Sequence, residues 1–321
     1  MTNSGMLVCS FFLKKRFSRE KAQTFNLNQE IVCKTDEDTK HFADFFEMAT
    51  EFCNRNTAFV DDKKARKMFS VKEGSLLHYD EATYHAMSFV IQSGSYGVEA
   101  DMTNRHTMKV SYHRTEDEAD IKSFLCIIYI PKDMEMNSIN KGIFVFQSIA
   151  TYGVKTITVD LMRSFFKELG VTLETRSVSV HVFLQKLIEQ GSLNKITFYK
   201  DCISPNTADN ILISTGREER TYTKPHLQPE WLSKMLSIFK KADETGIVEI
   251  PDEDFDDLSI QFKLGSRFRT VRLRNLDKLS IVEDIPDEIV SKDDNSATIS
   301  HMIQTANEYK QHIVFDIKNG E

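Results

Sequence analysis

A chain of 321 residues with 40% hydrophobic and 28% charged side chains lies inside the globular range and outside the disordered one. That length exceeds what one hydrophobic core usually organises, so two domains are expected. The formal net charge of −7 excludes a uniformly basic nucleic-acid binder and leaves room only for a local cationic patch.

The 23 phenylalanines stand against a single tryptophan, so phenylalanine should fill much of the core. Cys9, Cys33, Cys53, Cys126 and Cys202 are an odd number without CxxC spacing. Cys53 and Cys126 sit in apolar surroundings, where a thiol behaves as a small hydrophobe. Such usage implies a reduced, intracellular chain with neither disulfides nor a zinc site. The N-terminus, MTNSGMLVCSFFLKKRF, places basic residues after an apolar run of about eight, the reverse of a signal peptide. No window approaches the ~18 apolar residues of a membrane span. A cytoplasmic protein without direct membrane insertion is expected.

In chain order, Leu7 to Leu13 and Phe25 to Cys33 read as strands joined by KKRFSREK. The joining segment carries Lys14, Lys15, Arg16, Arg19 and Lys21, either a solvated hairpin loop or a loop whose cations displace counterions from a nucleic-acid backbone. A helix is expected from Asp36, with Thr35 and Asp38 as a capping box. Phe42, Phe45, Phe46, Ala49, Phe52 and Cys53 recur at helical spacing and mark its core face. From Lys67 to Ser111 the period falls to two. MFSV, SLLHY, AMSFVIQSG and MKVSY are strand candidates, separated by Gly74, Gly94, Gly97 and Asn104. Met108, Val110 and Tyr112 share one parity, which suggests an antiparallel meander with one face wet. HRTEDEADIK follows as a charged loop.

The most apolar stretch runs from Ile121 to Gly170. Phe124 to Ile130, FLCIIYI, shows no alternation, so both faces should be buried as in an inner strand. Pro131 ends it, since proline cannot donate to a ladder. Gly142 opens a return strand through Ile149, and Gly153 permits a turn. Thr158 or Asp160 can cap a helix whose Met162, Phe165, Phe166 and Leu169 form a stripe ended by Gly170. In this stretch only the TYGVKT turn, with Gly153 and Lys155, offers an exposed ligand contact.

Beyond Gly170, Val180, Phe183, Leu184 and Leu187 suggest another helix, KITFYK a strand, and Asp209 to Thr223 one or two more. Pro229 fits the first turn of a helix with the stripe Leu232, Met235, Leu236 and Phe239. EIPDEDFDD then concentrates carboxylates between Glu249 and Asp257, and KLGSRFRTVRLR concentrates cations between Lys263 and Arg274. Ser296 can cap a last helix through Ile299, Met302, Ile303 and Ala306. Strand runs mixed with packed helices argue for an α+β fold: mostly antiparallel sheet covered by amphipathic helices, with a second α+β domain. The expected division is 1–170 and 171–321.

Chemistry is sparse. GxxxxGK[ST], GxGxxG and GxSxG are absent, and the nine histidines form no HExxH. His106 and His113, seven apart, fall on opposite faces of a regular strand, so a shared metal is not expected there; no cofactor is expected at all. The Pro251-Asp252 segment with Lys263 could be arranged as a Mg²⁺-dependent nuclease, but that chemistry needs carboxylates on rigid adjacent strands, and here they fall in an expected loop. In RFRTVRLR, Arg267 and Arg269 share one parity and Arg272 and Arg274 the other. A bulge near Thr270 would bring them together; otherwise the charges guard an edge strand. The acidic segment could neutralise this strand or act as a gate against a polyanion.

Two segments resemble RexA-like phage-exclusion proteins and related anti-phage defence proteins. They are LVCSFFLKKRFSREKAQTFNL, a strand, basic loop and strand, and FDDLSIQFKLGSRFRTVRLRNLDKLS, an F-x-D-[IL]-S-[IL] strand followed by a charged one. The resemblance implies a cytoplasmic, dimeric, DNA-binding sensor that signals to a membrane or effector partner, and transfers no catalytic residue. The leading expectation is a non-enzymatic DNA-binding or sensing protein of a host–phage conflict. It would bind largely without sequence preference through Lys14, Lys15, Arg16, Arg19, Lys155, Arg267, Arg269, Arg272 and Arg274. The alternatives are a Mg²⁺-dependent nuclease effector and a phage-encoded inhibitor acting through protein contacts.

Overall fold

The computed structural model describes residues 4–15, 24–35, 38–132, 139–150, 152–177, 192–200, 217–225, 234–235, 237–238, 257–264, 267–272, 281–290 and 295–318. The chain divides into two compact units. One is built from Met1–Val178 and Val282–Glu321, the other from Ser179–Ile281. The expected boundary at 170 therefore falls inside the first unit. The strand that follows Gly170 pairs with the N-terminal strand, and the last forty residues return to the same body.

The first unit begins with β1 (Ser4–Lys15), β2 (Ile31–Lys34), β3 (Thr39–Phe42) and α1 (Phe45–Arg55). It continues through β4 (Val60–Asp62), β5 (Lys67–Val71), β6 (Leu77–Asp80), β7 (Tyr84–Ser95), β8 (Ala100–Thr103) and β9 (Val110–Arg114). After β10 (Lys122–Pro131), β11 (Gly142–Ile149) and β12 (Tyr152–Gly153) come α2 (Lys155–Glu168) and β13 (Val171–Ser177). The second unit holds β14 (Ser192–Lys200), β15 (Glu218–Thr223), β16 (Asp257–Leu264) and β17 (Arg267–Arg272); β18 (Ile281–Asp284) and α3 (Ser296–Lys318) complete the first. The fold is α+β, and the strand pairings whose register is described are antiparallel. Among the described residues no helix is long and apolar enough to cross a membrane.

The large sheet has ten strands, with the order β13-β1-β11-β10-β7-β5-β4; β12 adds to β11, β18 to β1 and β6 to β7. Inner position explains the unbroken FLCIIYI. With β11 on one side and β7 on the other, Phe124 to Ile130 are all buried. At about 1.5–3 kcal/mol for each large apolar side chain withdrawn from water, this strand anchors the unit. Its even positions, Phe124, Cys126, Ile128 and Ile130, join a core with α1 and α2. Phenylalanine dominates that core: Phe11 stacks on Phe144 at 4.0 Å and lies 4.7 Å from Phe45, which in turn lies 5.7 Å from Phe166. On the other face Tyr129 donates to Asn307 of α3 at 2.7 Å, and α3 buries Ile299, Met302, Ile303, Ala306 and Tyr309.

Several local expectations shift. The expected strand Phe25 to Cys33 is a turn followed by β2, with Thr24 bridging back to Lys14. The Thr35 and Asp38 pair closes the β2–β3 hairpin instead of capping a helix: the Asp38 amide donates to Thr35 Oγ1 at 3.0 Å and the Thr35 amide to the Asp38 carbonyl at 2.9 Å. The capping box sits later. Asp44 accepts from the Glu47 amide at 2.9 Å, and Glu47 accepts from the Ala43 amide at 2.5 Å. Phe42 thus belongs to β3, whereas Phe45, Phe46, Ala49, Phe52 and Cys53 are the buried face of α1. Neither Thr158 nor Asp160 caps α2. The helix starts four to six residues earlier, after Val154, and Thr158 donates back to the Val154 carbonyl at 2.7 Å. Gly170 closes α2 as expected, at φ +74°.

Met108, Val110 and Tyr112 were expected on a half-buried strand. Instead β8 and β9 form a separate two-stranded ribbon, wet on both faces. The helix expected around Val180 to Leu187 lies outside the described residues, as does most of the one after Pro229, where 234–235 and 237–238 are helical.

Candidate nucleic-acid interface

The second unit is a four-stranded antiparallel sheet in the order β15-β14-β16-β17. Alternation sorts its residues into two faces. Ile196 lies opposite Ile260 and Ile260 opposite Val271, and all three are buried. The other parity is polar, and its cross-strand rows are continuous. Thr223, Lys195, Gln261 and Thr270 form one row, and Thr221, Thr197, Ser259 and Arg272 the next. Glu219, Tyr199 and Asp257 form a third. Short hydrogen bonds tie the rows: Thr197 to Thr221 at 3.1 Å, Gln261 to Thr270 at 3.2 Å, and Asn194 to Gln261 at 2.6 Å. Asn194 is the residue skipped where β14 shifts register against β16.

The charged centre of this face is Arg272. Its Nε donates to Asp257 Oδ2 at 2.6 Å, and Asp257 is 0% exposed. A carboxylate removed from water in this way needs a partner of opposite charge. The Arg272 guanidinium also lies over the Tyr199 ring at 4.5 Å, and Arg217 lies over the same ring at 4.4 Å. Two cations thus flank one aromatic ring, each attracted by its quadrupole. Towards the end of β16, Lys263 is exposed and faces Phe268, which is 53% exposed. Lys195 is exposed on the same polar parity. Thr197, Ser259 and Asp257 in the middle of the face are buried, so cations and rings reach solvent around them, at Lys195, Lys263 and Phe268 and in part at Arg272 and Tyr199.

The sequence-derived site residues fare differently. Pairing of β16 with β17 runs unshifted from Ser259 opposite Arg272 to Leu264 opposite Arg267. The expected bulge near Thr270 is thus absent, and Arg267 and Arg269 keep the parity opposite to Arg272. Arg274, Arg16, Arg19 and Lys21 lie outside the described residues, as does Asp252. In the first unit, Lys14 is paired with Glu174 at 2.7 Å and lies 5.1 Å from the Phe12 ring, and Lys15 lies 5.8 Å from the Phe25 ring. Lys155 opens α2 and is half-buried, and its charge acts on the buried Cys9 of β1.

Other chemistry finds little geometry. Burial pushes the Cys9 thiol up to about 11 against the opposing charges of Lys155 and Arg163, and burial raises Cys53 to about 12. These thiols are core and not nucleophiles. Among the described residues no three His, Cys, Asp or Glu side chains stand together as a metal site. A cleft of about 560 Å³ beside α1 contains Lys40, Glu51 and Arg55, but Glu51 already pairs with both cations. Sequence reasoning passed over Tyr199, Lys195, Arg217 and the Asp257 partner of Arg272. The available signal was the alternation in DLSIQFKL and KITFYK, whose polar parity carries Asp257, Ser259, Gln261 and Lys263 and, on the neighbouring strand, Lys195, Thr197 and Tyr199. No protein-family model and no curated protein matches this sequence.

Proposed function

We propose that this chain is a non-enzymatic nucleic-acid-binding protein that takes DNA largely without sequence preference, through the polar face of the β14–β17 sheet. The observation that carries the reading is exposed Phe268 set beside Lys263, on the face where Arg272 and Arg217 flank Tyr199. Aromatic faces accept bases of any identity, each stack contributing about 1–3 kcal/mol, while lysine and arginine track the phosphates. Such a surface favours a single strand over a closed duplex, because stacking needs bases free of their pairs. Lys14 and Lys15 of the first unit are a second basic element, and the role in a host–phage conflict, in the cytoplasm, rests on the sequence resemblance.

Fluorescence anisotropy of labelled single-stranded and duplex DNA tests the reading. Binding at low salt should weaken steeply as salt rises, with a log–log slope set by the phosphates neutralised. Phe268→Ala should weaken single-strand binding about tenfold, in keeping with one lost stack, and Lys263→Glu should lower the salt slope. If the purified protein binds neither form at low salt, the reading is wrong.

A further inference from the structure

The β8–β9 ribbon belongs neither to the ten-stranded nor to the four-stranded sheet. A lone two-stranded hairpin is marginal in water, yet this one is tied at both ends. At the tip the Asn104 amide donates to the Lys109 carbonyl at 2.9 Å, and Asn104 Oδ1 accepts from the His106 and Thr107 amides at 2.9 and 3.1 Å. At the base the Gly97 amide donates to the Glu116 carbonyl at 2.7 Å, and the Arg114 guanidinium donates to the Val98 carbonyl at 2.9 Å. The ribbon is held as a preformed arm.

This arm carries apolar side chains that nothing in the chain's described residues covers. Met108 is 79% exposed, Val98 62%, Tyr112 50% and Met102 42%, and Met102 and Tyr112 face each other across the strands. Charge is segregated along its length. The tip, Asn104 to Lys109, contains Arg105 and Lys109 and no acid. The base exposes Glu99, Glu116 and Asp117, while its cation Arg114 is turned onto the Val98 carbonyl. Tip and base are five or six residues apart, roughly 17–20 Å at strand rise.

We propose that the ribbon is a pairing arm for a second copy of this chain, with the two ribbons antiparallel about a two-fold axis. The charge pattern selects that occupant. A polyanion would be repelled by the acidic base and a basic partner by the tip, whereas an identical ribbon turned end for end meets each region with its opposite. Arg105 and Lys109 of one copy then face Glu116 and Asp117 of the other. Met108 meets Val98, and Met102 and Tyr112 meet their own counterparts at the axis, as an isologous contact requires. A parallel arrangement would set tip on tip and base on base. Contact between two short ribbons falls at the small end of specific interfaces, about 1,200 Å² or less, so the dimer should dissociate in the micromolar range.

Sedimentation velocity of the full chain over a dilution series at low salt tests this, with circular dichroism and melting temperature as folding controls. Wild type should pass from dimer to monomer on dilution, and Met102→Asp and Lys109→Glu should each raise the dimer dissociation constant about tenfold or more. In a symmetric pair the double variant Lys109→Glu with Glu116→Lys restores opposite charge at both ends, so it should recover most of the loss. A wild type monomeric at every concentration overturns the proposal. So does a dimer indifferent to Met102→Asp and Lys109→Glu, a double variant no better than Lys109→Glu alone, or variants that weaken DNA binding while leaving the mass unchanged.

Discussion

The Arg272 guanidinium serves Asp257 and Tyr199 at once, so its replacement should be felt in stability before it is felt in binding. Arg272→Ala strips a fully buried carboxylate of its cation. Breaking a buried pair costs about 3–5 kcal/mol, and since the Arg272 side chain is about one-third exposed, solvent screening brings the expectation to about 2 kcal/mol. Arg272→Lys keeps the charge but loses the planar stack and should fall between the two. Urea denaturation of the full chain measures both. In the ribbon, the hydrogen bond to Asp101, at 2.7 Å, raises the pKa of His113. A histidine whose folded value is raised adds stability fully present below its unfolded value and lost as pH rises through the raised one. Proton resonances of the His113 ring should therefore titrate above the ordinary histidine midpoint, and Asp101→Asn should bring that midpoint down. At this scale the sequence was only partly readable. His106 lies in the turn at the ribbon tip, where strand parity does not apply, and no pattern in the chain announced that the partner of Arg272 would be Asp257, fifteen residues away across a strand pair.

Elements were legible where the pattern was local and unbroken. FLCIIYI read as an inner strand because a strand with neighbours on both sides and layers on both faces has no reason to alternate, and Gly170 read as a helix terminus because its left-handed conformation suits glycine. Gly170→Ala should cost about 1–3 kcal/mol, since the added Cβ would also lie 2.5 Å from the Lys34 carbonyl oxygen; the loss is measured as a fall in melting temperature. The cap of α1 was misread for a physical reason. A threonine or aspartate side chain accepting a backbone amide a few residues away closes a hairpin turn as readily as a helix start. Thr35 with Asp38 does the first and Asp44 with Glu47 the second. Glu47→Ala should accordingly weaken the protein by about 1 kcal/mol, whereas the same cap loss is not expected from Asp38→Ala, which a pair of denaturation curves would distinguish.

At the scale of the molecule, the sequence misplaces its own division because Gly170 ends a helix and the pattern then restarts, which looks like a domain end. Nothing local says that β13 will pair with Cys9 to Lys15 or that β18 will return to β1 more than a hundred residues later. The second unit is a single continuous stretch placed between those two strands. A chain in which 179–281 is replaced by a short glycine–serine linker should still unfold cooperatively and should lose most single-strand DNA binding; calorimetry and anisotropy check the two halves. The position of β18 has a further consequence. The β13 strand occupies the outer edge of β1 as far as Cys9, and the Ile285 amide donates to the Ser4 carbonyl at 3.0 Å, so β18 takes up the rest of that edge. During synthesis, β1 must wait for β18, made well over two hundred residues later, to be satisfied along its whole length. The inserted unit, whose described strands β14 to β17 pair with one another, is free to fold first. The Ser4 end of β1 therefore stays unpaired on that edge after the second sheet can close, and pulse-labelled hydrogen exchange should find the amides of Ser4 to Val8 protected after those of β14 and β16.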